Sequence, residues 1–404
     1  MHAYSARPAL ASMVPANAPG RGARWFRDWW PRARVRYDAR MARLRSSRSS
    51  ATDALITQVI EHAGELTHPR QEQYVREILT TVMRLVRDQA SLGDLKLINT
   101  ALKEMRYAFK VFAPYRTVRK VSTFGSARTK DTAPVYKQAR EFAERICREG
   151  YMLLTGAGGG IMRACQEGSG RERSFGVNIR LPFEQEPNEF ISRDPKLVSF
   201  KYFFTRKLMF IKEADAIVLF PGGFGTHDEG FESLTLVQTG KSRPMPIVFL
   251  DAPRGTYWKT WKRYVEDHLL RCGLISPVDM GLFKVTDKID DAIAEIRNFY
   301  RVYHSSRYVG DRFVIRLNAP LAAPLLAELN AEFADILKDG VFEVGAALPE
   351  EEGEPEIAHL PRLVFRFNRL SFGRLRAMID RINVEGPAAA AAAPASHTAE
   401  GGLV

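Results

Sequence analysis

Glu229 stands about one turn into a helix that follows a glycine loop, Pro221-Gly-Gly-Phe-Gly-Thr226. The run before the loop, Ala216 to Phe220, is apolar with β-branched members and reads as a buried strand. Pro221 stops the ladder, Gly222, Gly223 and Gly225 make a tight turn, and Thr226 opens a helix over 226–239. A loop between a strand and a helix N-terminus leaves backbone N–H groups unpaired and aims the positive end of a helix dipole above the strand. A phosphate is the natural guest. A simpler reading competes: Thr226-x-x-Glu229 has the form of a capping box, with Glu229 folded back on the cap's own N–H. Each glycine weakens the turn entropically, so three within four positions need a further reason. Close approach of a ligand to the backbone supplies one.

The elements that must position this loop alternate along the chain. Strands are expected at Val118 to Phe124, Tyr151 to Thr155, Ser174 to Ile179, Ala216 to Phe220, Pro246 to Leu250 and near Leu282 to Val285. Helices are expected at 133–149, from the glycine loop through Gly168, at Lys201 to Glu213, 256–270 and 288–300. This alternation predicts an α/β fold, a Rossmann-like doubly wound parallel sheet covered on both faces. Ligands of such sheets bind beyond the carboxyl ends of the strands. Three glycine turns fall there: Gly125-Ser126-Ala-Arg128, Gly156-Ala-Gly158-Gly159-Gly160, and the loop at 222–225. Ser126 and Arg128 are either ligand contacts or an ordinary strand-end turn. The 156–160 loop is not a dinucleotide fingerprint, because the next strand ends Val177-Asn-Ile-Arg180 without the acid that binds a ribose. A mononucleotide fits better.

At 404 residues the chain is too long for one compact domain. A formal charge of +12 invites a nucleic-acid reading, but residues 1–50 hold eleven arginines and two acids and so carry +9 of it. The basicity belongs to an arm, which also holds Trp25, Phe26, Trp29 and Trp30, and no specific nucleic-acid partner is expected. No apolar run approaches membrane-spanning length, so no membrane partner is expected. Cys147, Cys165 and Cys272 are scattered, which suggests a reducing compartment, a cytoplasmic location and no metal cage. Residues 51–117 show helical periodicity, with Glu104 and Arg106 read as solvated charges. After the domain at 118–306, residues 307–385 read as a small α+β appendage. It has strands at Arg312 to Leu317, Val341 to Val344 and Leu363 to Phe367, helices at 320–337 and 371–382, and an acidic loop at Glu350 to Glu356. An Ala/Pro-rich tail at 386–404 is expected to be disordered.

Taken together, four motifs resemble the LOG family, the cytokinin riboside 5′-monophosphate phosphoribohydrolases and related nucleotide nucleosidases, often labelled lysine decarboxylases. They are Pro221-Gly-Gly-Phe-Gly-Thr-x-x-Glu229, Thr205-Arg206-Lys207-x-Met209, Thr155-Gly-Ala-Gly-Gly-Gly-Ile-Met162 and Asn178-Ile-Arg-Leu-Pro-Phe-Glu-Gln-Glu-Pro-Asn188. The resemblance covers roughly residues 118–300. It implies a Rossmann-like fold, a homodimer or higher homo-oligomer, no cofactor or metal, and hydrolysis of a nucleoside 5′-monophosphate to free base and ribose 5-phosphate. By motif match the catalytic pair falls on Arg206 and Glu229. The candidate substrate contacts are Gly222, Gly223, Gly225, Thr226, Gly158, Gly159, Gly160, Ser126, Arg128 and Lys207; for Arg206 and Lys207 the bland alternative is a solvated helix face. The chain departs from the family at His227, Ala157 and Arg163, which bears on base specificity.

The chemistry is consistent with those residues. Breaking a ribosyl–base bond develops positive charge at C1′, which a carboxylate stabilises while it directs water. The alternative is a carrier of the same fold, such as the molybdenum-cofactor carriers, which bind a phosphorylated pterin and hydrolyse nothing. Lysine decarboxylation needs a pyridoxal phosphate site, and no lysine sits in a setting that suggests one.

Overall fold

The seven strands of the central sheet are all parallel and pair in the order β4-β3-β2-β1-β5-β6-β7. They are β1 (Lys120–Phe124), β2 (Met152–Thr155), β3 (Ser174–Ile179), β4 (Leu197–Phe200), β5 (Ala216–Leu219), β6 (Ile247–Leu250) and β7 (Lys284–Thr286). This is a computed structural model, and it describes residues 50–387 apart from 65, 67–68, 182–185 and 352. The aromatic-bearing arm, the tail beyond 387 and Glu184 lie outside the described residues.

Every residue of β1, β2, β3, β5 and β6 is buried. That is why β5 and β6 run continuously apolar instead of alternating, while the buried polar residues of β1 find partners, Ser122 Oγ donating to Phe210 O at 3.0 Å and Thr123 Oγ1 to Leu154 O at 3.2 Å. The sheet is therefore the Rossmann-like α/β sheet that the alternation predicts. Chain order reverses at β1, which pairs with β2 on one side and β5 on the other. Such a reversal opens a crevice at the carboxyl rim.

Two helices, α1 (Ser50–Ala63) and α2 (Pro69–Arg87), form a unit of their own that ends at Ser91. Arg76 on α2 donates to Thr57 Oγ1 on α1 at 2.8 Å. The third helix of the 51–117 region, α3 (Leu92–Phe112), belongs with the sheet. Its Ala108 and Phe112 enter the core, where the Phe112 ring lies 4.6 Å from that of Phe175. The sheet is covered by α4 (Pro134–Arg148), α5 (Ile161–Ser169), α6 (Phe203–Glu213), α7 (Phe224–Gln238), α8 (Tyr257–Tyr264) and α9 (Ile289–Phe299). Strand β4 escapes the sequence reading because Leu197-Val-Ser-Phe200 is short and directly precedes a helical pattern.

A second sheet is antiparallel, with order β10-β11-β9-β8. It comprises β8 (Tyr303–Val309), β9 (Arg312–Leu317), β10 (Leu337–Gly345) and β11 (Arg362–Phe367), with α10 (Ala323–Glu332) and α11 (Phe372–Glu385). Two expectations are corrected here. The helix expected over 320–337 stops at Glu332, and the strand after it runs through Gly340. The acidic insert is not loop throughout: short 3-10 turns form at Pro349–Glu351 and Pro355–Ile357, and Glu351 is buried, accepting from Arg316 Nε at 3.0 Å and from Arg362 Nε at 3.0 Å. A buried carboxylate needs such paired donors, since an unpaired one is costly to desolvate.

Candidate functional site

The carboxyl ends of β1 and β5 open onto a cavity of about 800 Å³. Its floor is the loop at 222–226, its walls include Ser126 and Arg128 after β1, and Arg206 and Glu229 enter from α6 and α7. The β1 and β5 loops are tied together, Ser126 N donating to Pro221 O at 3.2 Å.

Helix α7 starts three residues earlier than the capping-box reading requires. Gly223 is the N-cap, no side chain caps the helix, and Thr226 already lies inside it. The N–H groups of Phe224 and Gly225 therefore lack acceptors within their own helix, as first-turn groups do. The capping box does not form. Glu229 is instead a buried residue on the cavity wall, and its Oε2 has no hydrogen-bond partner. Burial pushes its carboxyl up to about 7, against the opposing pull of Lys207 and Arg206.

The glycines have separate reasons. A Cβ on Gly222 would run into the Thr226 side chain. Gly223 and Gly225 have negative φ, and a Cβ on either would meet nothing within 4 Å. Nothing within the fold demands them, and the space above their backbone is open to a ligand.

Arg206 is held rigidly. Its Nε donates to Val177 O at 2.8 Å, and its guanidinium lies 5.1 Å from the centre of the Phe210 ring. Burial pulls its pKa down while Glu229 opposes the shift. Gly156 is open to it: a Cβ there would collide with the guanidinium. The helix carrying Arg206 is anchored by a residue that sequence reasoning set aside. Glu104 on α3 accepts from Lys201 N at 2.6 Å and from Thr205 Oγ1 at 2.7 Å. It is not a solvated charge.

Other candidates lie elsewhere. Lys207 is outside the cavity lining and pairs with Asp228 at 2.8 Å and Glu232 at 2.7 Å. Burial pulls its pKa down, but those two hydrogen bonds outweigh it and the net shift is upward. Gly158, Gly159 and Gly160 are also absent from the lining. Gly160 takes φ +59 and packs against the backbone of Ser126 and Ala127, while Ile161 N donates to Ser126 O at 3.0 Å. This loop buttresses the wall from behind. Asn188 holds it in place, its Nδ2 donating to Gly158 O at 2.9 Å and Ala157 O at 3.1 Å. Ala157, the departure from glycine, takes φ +63, a conformation that costs an L-residue about 1–2 kcal/mol. Arg163 bonds to Glu189 and Tyr136 and does not line the cavity. Burial pushes the Cys165 thiol up to about 12, as for an inert packing residue.

The sequence reading missed Met162, Phe203, Phe224 and Tyr257 on the walls, and noted His227 there only as a departure bearing on base specificity. Phe224 and His227 sit inside the glycine motif itself, so position alone could have found them. Tyr257 lies 35 residues from Gly222 and carries no motif. Its hydroxyl contacts both Gly222 O and, at 2.6 Å, His227 Nε2. A carbonyl only accepts, so Tyr257 donates to Gly222 and His227 Nε2–H donates to Tyr257. Burial lowers the His227 pKa, so the ring is neutral at pH 7.

Residues 159–296 match the family described as possible lysine decarboxylase. The matched residues lie in the central domain, whose motifs resemble the LOG family. Among curated proteins, no sequence matches the chain. Partial structural likenesses include the molybdenum cofactor binding protein of Rippkaea orientalis, at 14% identity over 45% of this chain and 96% of that one, TM-score 0.33. The Moco carrier protein of Chlamydomonas reinhardtii shows 19% identity over 45% and 96%, TM-score 0.32. DNA processing protein A of Helicobacter pylori shows 14% identity over 46% and 81%, TM-score 0.30. Among the described residues no helix is long and apolar enough to cross a membrane. Nor does any group of three His, Cys, Asp or Glu there suit a metal ion.

Proposed function

We propose that the LOG-family domain hydrolyses the N-glycosidic bond of a nucleoside 5′-monophosphate, releasing free base and ribose 5-phosphate. The observation that carries this reading is Glu229: a buried carboxylate on the cavity wall, Oε2 unpartnered, beside a loop with free helix N–H groups. A protein that only bound nucleotide would gain nothing from an unsatisfied buried acid, which costs stability.

In this reading the 5′-phosphate sits on the N–H groups of Phe224 and Gly225 at the positive end of α7. Arg206, fixed by Val177 and Phe210, supplies positive charge and orients the nucleotide. As the C1′–N bond breaks, its electron pair leaves with the base, and Glu229 stabilises the cation at C1′. Water adds its oxygen to C1′ and gives a proton to Glu229; that proton ends on the nitrogen of the departing base, which returns Glu229 to the carboxylate. A carboxyl that titrates near 7 is matched to that proton transfer at neutral pH. We propose further that the protein acts in the cytoplasm, as its scattered cysteines suggest, and as a homo-oligomer, as the resemblance implies.

One observation favours a second reading. A cavity of about 800 Å³ also has room for a larger phosphorylated ring system, held as cargo and not hydrolysed. The experiment is to incubate the protein with AMP, GMP, CMP and an isopentenyl-AMP and assay free base. Release from at least one, with adenosine hydrolysed poorly, supports the enzyme. Release from none, with tight binding of a phosphorylated pterin, supports the carrier.

A further inference from the structure

Phe224 is 96% exposed, an unusual state for a phenylalanine in a folded domain, and it lines the catalytic cavity. It is the first residue of α7, set between Gly223 and Gly225, around which the space is open. Its own N–H is one of the two free donors that the phosphate reading uses. Phe203, 54% exposed, lines the same cavity from the start of α6. The cavity therefore has two chemistries: a polar floor with Arg206 and Glu229, and a wall with bare aromatic rings.

We infer that Phe224 is the stacking platform for the base of the bound nucleotide. The inference rests on the nucleoside monophosphate reading and goes beyond it by assigning how the base is recognised. An exposed ring held beside a phosphate site offers a flat apolar face within a side chain's length of the phosphate donors, where the base of a 5′-nucleotide must lie. Among the described lining residues there is no Asn or Gln to read a base edge. His227 Nε2 is engaged by Tyr257 and Asp228 Oδ2 by Lys207. The bare Phe224 ring therefore carries recognition by the face, and every base has one, so purine and pyrimidine monophosphates bind through the same contact.

The test compares a ligand with a base to one without. Dissociation constants of AMP, CMP and ribose 5-phosphate are measured calorimetrically on the full chain in a Glu229→Gln background, which spares the nucleotide, with and without Phe224→Ala and Phe224→Tyr. Oligomeric mass is followed by light scattering. The expected result is that Phe224→Ala weakens AMP and CMP by roughly 5- to 150-fold, the range for loss of one base stack. Ribose 5-phosphate is unchanged and Phe224→Tyr restores nucleotide binding. Unchanged AMP and CMP binding in Phe224→Ala overturns the inference and leaves the monophosphate reading standing. Equal weakening of all three ligands also overturns it, making Phe224 a loop residue, or a subunit contact if the mass falls as well. A parent that binds none of the three defeats the monophosphate reading, and this inference with it.

Discussion

The hydroxyl of Thr205 donates to Glu104 Oε2 at 2.7 Å across 101 residues of sequence. The other oxygen of Glu104 takes the N–H of Lys201 at 2.6 Å. Together they pin the start of α6, whose N-cap Tyr202 offers no side chain for the purpose. The next residue after Thr205 is Arg206. Glu104→Ala should cost about 1 kcal/mol of stability, the scale of a lost cap. It should also lower kcat/KM by roughly 10-fold or more, because a misplacement of about 1 Å is expensive in catalysis. Glu104→Gln, which keeps an acceptor, should be milder on both counts. Loss of melting temperature with unchanged kcat/KM would confine Glu104 to a structural role.

The glycines separate packing from ligand approach. Gly160→Ala forces a Cβ into the backbone of Ser126 and Ala127 at φ +59, and should cost at least about 2 kcal/mol. Gly225→Ala meets nothing within 4 Å. Inside a helix that change should stabilise the fold by roughly 0.5–1 kcal/mol. Its methyl would nonetheless intrude on the phosphate position, so AMP binding should weaken. A denaturant titration and a binding isotherm on each variant check both halves. Tight AMP binding by Gly225→Ala would move the phosphate off this loop.

Much of this was legible in the sequence, and for definite reasons. Strands buried on both faces, such as Ala216–Leu219, announce themselves as apolar runs between glycine turns. Strand β8 did not, because Tyr303-His-Ser-Ser306 is polar yet buried, its hydroxyls satisfied locally: Tyr303 with Ser306 and Ser305 with His304, each at 2.9 Å. Thr226-x-x-Glu229 looked like a capping box, since residue type cannot show that Gly223 caps the helix. Glu104 read as a solvated charge and Glu351 as part of a loop because their partners, Thr205 and Arg316, lie far along the chain. Arg206 and Glu229 were readable as motif members, but that Glu229 Oε2 lacks a partner required the fold.

That orphaned carboxyl gives a pH signature. Its pKa is raised from 4.5 to about 7, so the folded protein holds this proton more tightly than the unfolded chain. The associated stability is fully present below pH 4.5 and is lost as pH rises through about 7. At about 1.36 kcal/mol per pKa unit the loss approaches about 3 kcal/mol. Glutamine cannot ionise. Glu229→Gln should therefore match the wild type at about pH 4 and be more stable by up to about 3 kcal/mol at about pH 8, which paired denaturant titrations measure. A stability difference independent of pH would mean that Glu229 keeps an ordinary pKa.

The most direct measurement is the turnover of Glu229→Gln on the best monophosphate found for the wild type. Removing the negative charge should cut base release by roughly 10²-fold or more, the scale of losing one key electrostatic or acid–base group. The variant should remain folded and still bind the nucleotide, because the loop at 222–226 is intact. Near-wild-type release of base by a folded Glu229→Gln protein would contradict the account, since it would leave the buried carboxylate without a part in the chemistry.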